Sequence, residues 1–294
     1  MNEDFKAKYL SIYLDHLNPD LSSSTIRNKK RYVSEFIGYL FENGVSDFEN
    51  FDINQVYNYI NSLNYASQTI SLLEFILREF FDILYEAGHT DFDGRRIFPV
   101  IFTNKRDRII SFYSTEEVRK IINALDPSSR NYIMNKCMTM MAAQMGLRSS
   151  DILGLKLSEI KWDKDLIEKI QSKTGNPVSV PMPENIKLLL IDYIKNHRPK
   201  CDSDYVFINR ISMDRYCDTE LLAIVQRLMK KTDITGKNRK VGPHTLRHSL
   251  ATRLLENNTP MPVITGILGH KNLNTTRAYL SIDTESLRQM SLEI

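Results

Sequence analysis

Apolar residues recur at helical spacing along most of the chain, and this pattern constrains the fold more than any other feature. One example is a stripe formed by Tyr32, Val33, Phe36, Ile37 and Leu40. A single region departs from the pattern, where residues 160–162, 166–170 and 178–181 are typical of three short strands around a Gly-Asn-Pro turn. We therefore predict a mainly α fold with a small β-hairpin sheet, an α+β class.

The helical pattern divides the chain into two domains. Residues 1–88 contain four amphipathic stretches and predict a helical domain, and 89–113 are irregular and basic, as in a linker. The linker carries Lys105, Arg106 and Arg108. A second domain, 114–294, begins with a predicted capping box between Ser114 and Glu117. A chain of 294 residues is long enough for two hydrophobic cores.

Charge is distributed unevenly between these parts. Residues 1–100 carry a net charge of −6 and residues 101–294 a net charge of +9. A basic C-terminal part suits a nucleic-acid backbone, although an ordinary solvated surface has the same composition. The acidic N-terminal part has one basic run on its second predicted helix, which we expect to contact DNA phosphates through Arg27, Lys29, Lys30 and Arg31.

Other classes of protein are disfavoured. The three cysteines follow no metal-ligand or disulfide pattern, and no carboxylates cluster as Mg²⁺ ligands do, so we expect neither cofactor nor metal. No run of 18 apolar residues predicts a membrane span, and the N-terminus lacks the pattern of a signal peptide. We expect a cytoplasmic protein.

The densest group of polar residues with catalytic potential lies near the C-terminus. Pro243 fits the first turn of a helix on which His244 and Arg247, three residues apart, share a face. A second helix ends at Gly269, so that His270 lies just beyond it, and Tyr279 follows on a third helix.

This order of residues resembles the C-terminal signature of the tyrosine recombinase (phage integrase) family: His-x-x-Arg, a Gly-His pair, and a tyrosine nine residues later. The family's upstream arginine matches Arg148 in Gly-Leu-Arg, with Asp151 standing where many relatives carry Glu. The family's hairpin lysine matches Lys173 in Ser-Lys-Thr-Gly, with Lys164 and Lys169 as competitors.

The resemblance implies an enzyme and a set of roles. Tyr279 is the expected nucleophile, and the other catalytic residues are Arg148, Lys173, His244, Arg247 and His270, with Asp151 in support. The arginines and His270 would stabilise charge on the phosphate. His244 would take the tyrosine proton, and Lys173 would protonate the leaving 5′-oxygen. The reaction would need neither metal nor ATP and would pass through a 3′-phosphotyrosine and a Holliday junction.

The resemblance also implies partners. Residues 1–88 would be a core-binding (SAM-like) domain and 114–294 the catalytic domain, closing on double-stranded DNA with short inverted repeats. A tetramer on DNA is expected, with the apolar tail residues Leu287, Met290, Leu292 and Ile294 docking on a neighbour or on their own domain. We predict a Xer-like recombinase of a bacterium, phage or mobile element, acting in integration, excision, inversion or dimer resolution. A type IB topoisomerase-like enzyme and an inactive DNA-binding accessory factor are the alternatives.

Overall fold

A computed structural model describes residues 2–48, 51–98, 111–173, 175–234 and 239–269 of the chain. The chain separates into two compact units, residues 1–104 and 105–294. Within the described ranges, no helix is both long enough and apolar enough to cross a membrane.

The first unit contains the four predicted helices and one short additional helix. Their bounds are α1 Asn2–Asp15, α2 Ser23–Glu42, α3 Asn54–Ser62, α4 Ser67–Glu86 and α5 Gly94–Ile97. Ser22 caps α2 by accepting a hydrogen bond from the Thr25 amide at 3.2 Å. Aromatic rings fill the core, where Phe48 contacts Phe51, Phe80 and Phe81 at centroid distances of 5.3–6.0 Å. Such rings bury large apolar areas and stabilise a small helical unit.

The helix α5 lies inside the region that the sequence predicted to be a linker. Asp93 caps it through the Arg96 amide, and Ile97 and Phe98 are buried in the core of the first unit. A four-residue helix has too few apolar positions to produce a periodic pattern, so the sequence did not reveal it. The linker residues Lys105, Arg106 and Arg108 lie outside the described residues.

One predicted DNA-contacting residue, Lys29, faces the interior instead. Lys29 is 6% exposed, and its ammonium donates to both carboxylate oxygens of Glu79, which also accepts from the Tyr13 hydroxyl at 2.7 Å. Residues three and four apart share a helix face, and Lys29 lies beside the buried Tyr32 and Val33. The assignment of Lys29 to the phosphate-binding surface is therefore corrected, whereas Arg27, Lys30 and Arg31 are exposed.

The second unit is also largely helical. Its helices are α6 Thr115–Asn123, α7 Tyr132–Met140, α8 Ser149–Leu153, α9 Glu184–Asp192, α10 Glu220–Lys231, α11 Pro243–Glu256 and α12 Met261–Leu268. Helix α7 continues into a π-helical turn, Met141–Met145, and α9 into another, Tyr193–His197; Leu157–Glu159 form a 3₁₀ turn. The predicted capping box is present at the start of α6, where Ser114 and Glu117 bond each other's backbone.

A three-stranded antiparallel sheet completes this unit, in the order β1 Ile160–Lys161, β2 Leu166–Ile170 and β3 Pro177–Pro181. Ile167 pairs with Ile160 on one side and Val180 on the other, and all three side chains are buried. The alternation of buried and exposed residues in β2 and β3 is that of a sheet with one face on a core. The predicted class, helical with a small hairpin sheet, is confirmed.

Candidate active site

The turn before α8 places Arg148 at the helix N-cap. Gly146 has a left-handed backbone (φ 64°), and a Cβ there would lie 2.9 Å from Leu250 and 3.0 Å from Leu268. Only glycine combines that backbone with such close packing, so the Gly-Leu-Arg order has a steric reason. Ser149 follows this N-cap residue, and its hydroxyl has no hydrogen-bond partner among the described residues.

Asp151 connects this turn with the sheet. Its side chain is fully buried, and one carboxylate oxygen accepts a hydrogen bond from the Ser172 amide at 2.9 Å. The other oxygen lies 4.0 Å from Nη1 of Arg148. The carboxylate therefore lies between the arginine and the segment that carries Lys173, and it is hydrogen-bonded to that segment.

Arg247 is buried and bound to main-chain carbonyls. The residue is 4% exposed, and its guanidinium donates from Nη1 to the Gly146 carbonyl and from Nη2 to the Leu268 carbonyl. These bonds join α11 to the turn before α8 and to the end of α12. Because a guanidinium has five N–H donors in a planar fork, it can bind carbonyls and an anion at the same time.

Gln171 is a site residue that the sequence did not identify. It is 1% exposed, its Oε1 accepts from Nη1 of Arg148, and its Nε2 donates to the Leu268 carbonyl at 3.3 Å. Arg148 also donates from Nη2 to the Gly269 carbonyl at 3.4 Å. A glutamine after a strand has no distinctive pattern, and its position two residues before Lys173 was the only available signal.

The structure separates the three candidate lysines of the sheet region. Lys173 is exposed in the β2–β3 turn, which is closed by hydrogen bonds between Gln171 and Gly175 and between Gln171 and Asn176, both 2.9 Å. Lys169 is buried and bound to Glu159 and to the Gly154 carbonyl. Lys164 lies in the β1–β2 turn, at the opposite end of β2. Of the three, Lys173 contributes positive charge to the lowered pKa of His244.

Two histidines of α11 have lowered basicity. Although His244 is exposed, the protein atoms around its imidazole displace enough water to lower its pKa below the ordinary value. Positive charge adds to this shift, in decreasing order from Arg247, Lys173 and Arg148. Burial lowers the pKa of His248 to about 4, with further contributions from His244, Arg247 and Lys240. His244 is therefore mainly neutral at pH 7 and able to accept a proton.

The segment before α11 is bound to the beginning of the second unit. The Arg239 guanidinium lies 4.0 Å from the Tyr113 ring centroid and bonds both carboxylate oxygens of Glu117. The Tyr113 hydroxyl donates to the Lys240 carbonyl at 3.0 Å, and the Tyr113 amide donates to the Ser249 hydroxyl at 2.8 Å. These contacts hold the first turns of α11, which carry His244 and Arg247.

Two predicted catalytic residues, His270 and Tyr279, lie outside the described residues, as do the tail residues Leu287, Met290, Leu292 and Ile294. Gly269 terminates α12 with a left-handed backbone (φ 58°), as predicted. Among the described residues, no three His, Cys, Asp or Glu side chains are grouped as metal ligands would be.

Known proteins are similar to this chain in sequence and in fold. The putative integrase/recombinase y4rF of Sinorhizobium fredii is 28% identical over 79% of this chain, and the chain spans 55% of that relative's length. Tyrosine recombinase XerC of Bacillus pumilus is 25% identical to this chain, and the similarity covers 97% of this chain and 95% of the length of XerC.

A similar fold is found in the crystal structure of the XerH site-specific recombinase bound to a palindromic difH substrate in a post-cleavage complex. Its TM-score is 0.75 at 16% identity, over 98% of this chain and 94% of that one. The model of the phage integrase family matches residues 111–286, more than half of the chain and all of the site described above. The protein therefore belongs to the phage integrase family, with Xer-type tyrosine recombinases among its relatives.

Proposed function

We propose that the protein is a site-specific DNA strand transferase, which cleaves and rejoins DNA through a 3′-phosphotyrosine intermediate and a Holliday junction. One observation carries the proposal. Four residues that match family catalytic positions come from three distant parts of the sequence, and contacts around Leu268 and Gly269 bring those parts together. The four residues are Arg148, Lys173, His244 and Arg247.

The two arginines suit the charge problem of this reaction. A phosphodiester resists attack because it is anionic, and its transition state carries more charge on the non-bridging oxygens. Arg148 and Arg247 remain protonated at any working pH and present planar forks to those oxygens. Because carbonyl contacts hold Arg247 in place beforehand, little reorganisation is needed when charge develops. His270 would add a further donor.

Proton transfer falls to the remaining residues. The Tyr279 hydroxyl attacks phosphorus, and its proton passes to His244, whose lowered pKa favours the neutral, accepting form. Lys173 donates a proton to the departing 5′-oxygen. The phosphotyrosine bond retains the energy of the broken bond, so a 5′-hydroxyl reverses the step without ATP. Attack by a strand of a second duplex exchanges strands, whereas attack by the original strand only relaxes the DNA.

DNA is the proposed partner throughout. The XerH relative is bound to a palindromic substrate, which supports short inverted repeats as the target here. On the first unit, we propose that Arg27, Lys30 and Arg31 contact phosphates, because they are exposed along one helix. The linker residues Lys105, Arg106 and Arg108 would add to this contact. Assembly into a tetramer, with tails docked on neighbouring protomers, belongs to the same proposal.

The test is recovery and sequencing of DNA covalently attached to the protein in host cells, with Tyr279→Phe as the control. We expect discrete attachment sites that disappear in the variant, because phenylalanine has no hydroxyl to attack phosphorus. Retained attachment in Tyr279→Phe would overturn the nucleophile assignment. Diffuse attachment would favour a topoisomerase-like activity, and no attachment by either protein would favour an inactive DNA-binding factor.

A further inference from the structure

We propose that Gln171 is a positioning residue that holds the two arginine guanidiniums in a fixed geometry relative to each other. The inference rests on the proposed function and deepens it. Gln171 accepts from Arg148 and donates to the Leu268 carbonyl, which also accepts from Arg247. A continuous chain of hydrogen bonds therefore runs from one guanidinium through the buried amide and one carbonyl to the other.

The chemistry of the two ends suits an amide at this position. Arginine only donates hydrogen bonds and a main-chain carbonyl only accepts them, so the linking group must accept at one end and donate at the other. A glutamine side chain does both without adding charge. A glutamate would direct an oxygen toward the Leu268 carbonyl, and a methionine would leave that carbonyl and Arg148 without this link.

The backbone around Gln171 supports this role. Gly269 approaches so closely that a Cβ there would lie 2.3 Å from Nε2 of Gln171 and 2.5 Å from Cγ1 of Val178. The same residue closes the β2–β3 turn through its main-chain N–H and its main-chain carbonyl. Its side chain is thus confined by the end of α12 and by Val178 of the sheet.

The glutamine also borders the other proposed catalytic positions. Its carbonyl closes the turn that carries Lys173, and Gly269 directly precedes His270. Misplacement of reacting groups by about 1 Å costs on the order of 100-fold in rate. We therefore expect Gln171 to influence the rate of cleavage more than the affinity for DNA.

The experiment uses the DNA sites recovered by covalent capture, nicked so that the cleaved fragment dissociates and the covalent complex accumulates. In Gln171→Met and Gln171→Glu, we expect cleavage at saturating DNA to slow by about 100-fold. The dissociation constant for DNA should change by less than about threefold. Gln226→Met, at an exposed position of α10, is the matched control and should behave as the unaltered protein.

A double-mutant cycle separates positioning from a general loss of structure. Gln171 contacts Arg148 directly and reaches Arg247 only through the Leu268 carbonyl, so Gln171→Met should slow the Arg148→Lys variant by less than about threefold. A full 100-fold effect in that background would overturn the inference, as would a Gln171→Met variant that cleaves normally. Thermal unfolding of each variant verifies that the fold persists. If the unaltered protein forms no covalent complex with any DNA, the proposed function fails and the inference fails with it.

Discussion

Two buried cations, one in each unit, come from similar sequence patterns but have different partners in the structure. Lys29 in the first unit and Arg247 in the second both come from motifs expected to bind phosphate, and both are at most 6% exposed. Lys29 pairs with the carboxylate of Glu79, so its charge is balanced within the unit. Arg247 donates to the carbonyls of Gly146 and Leu268, which orient a guanidinium without cancelling its charge.

The comparison teaches that the type of acceptor matters more than burial. The carboxylate of Glu79 balances the charge of Lys29, whereas the two carbonyls that bind Arg247 leave its charge uncancelled. Two predictions test this difference, and a third concerns a histidine next to Arg247.

The largest effect is expected at Arg247. In Arg247→Lys, the positive charge stays, but the planar fork that reaches two carbonyls and an anion is lost. We expect covalent-complex formation on nicked target DNA to slow by roughly 100- to 1,000-fold, as when a preorganised donor is removed. Arg253→Lys, in the last turn of the same helix, is the control. Cleavage at the normal rate by Arg247→Lys would remove the contrast between the two cations.

The adjacent residues Lys29 and Lys30 allow a matched test in the first unit. Lys29→Met should lower the free energy of unfolding by about 2 kcal/mol, because it leaves Glu79 without its cation in a partly screened site. Lys30→Met should leave stability nearly unchanged and should reduce the salt dependence of DNA binding by about one counterion. Denaturant unfolding and binding titrations at several salt concentrations provide the two measurements.

The opposite pattern would contradict the corrected assignment of Lys29. If Lys29→Met weakened DNA binding and spared stability, the lysine would have to leave Glu79 when DNA binds. Combining Lys29→Met with Glu79→Gln should recover part of the lost stability, since the unpaired carboxylate is then removed.

The third prediction concerns pH and the second histidine of α11, where little effect is expected at neutral pH. The pKa of His248 is lowered to about 4 from the ordinary 6.5, so the unfolded chain binds a proton at a higher pH than the folded one. Its contribution to stability is therefore complete above pH 6.5 and is lost as the pH falls toward 4. In His248→Gln, the midpoint of unfolding should therefore change less with pH over this window. An unchanged pH dependence would show that His248 binds its proton equally well in the folded and unfolded states.

Much of this protein was predictable from residues that act locally. The helices α1 to α4, the three strands and the capping box at Ser114 follow from periodicity and capping chemistry, which depend on neighbours a few positions apart. The left-handed end of α12 at Gly269 was predictable for the same reason. Family membership followed from residue types at fixed spacings, and these are also properties of the linear chain.

Tertiary structure decided which polar groups meet. Gln171 belongs to the site because β2 ends beside α12, at a distance of 97 positions along the chain from Leu268. The burial of Lys29 depends on Glu79, 50 positions away, and the burial of Lys169 depends on Glu159 and the Gly154 carbonyl. A linear pattern records which side chains are polar, but their partners are set by the packing of distant elements. The sequence alone therefore determined the fold class and the candidate site residues, and the packing determined whether a buried cation has a carboxylate or main-chain carbonyls as its partners.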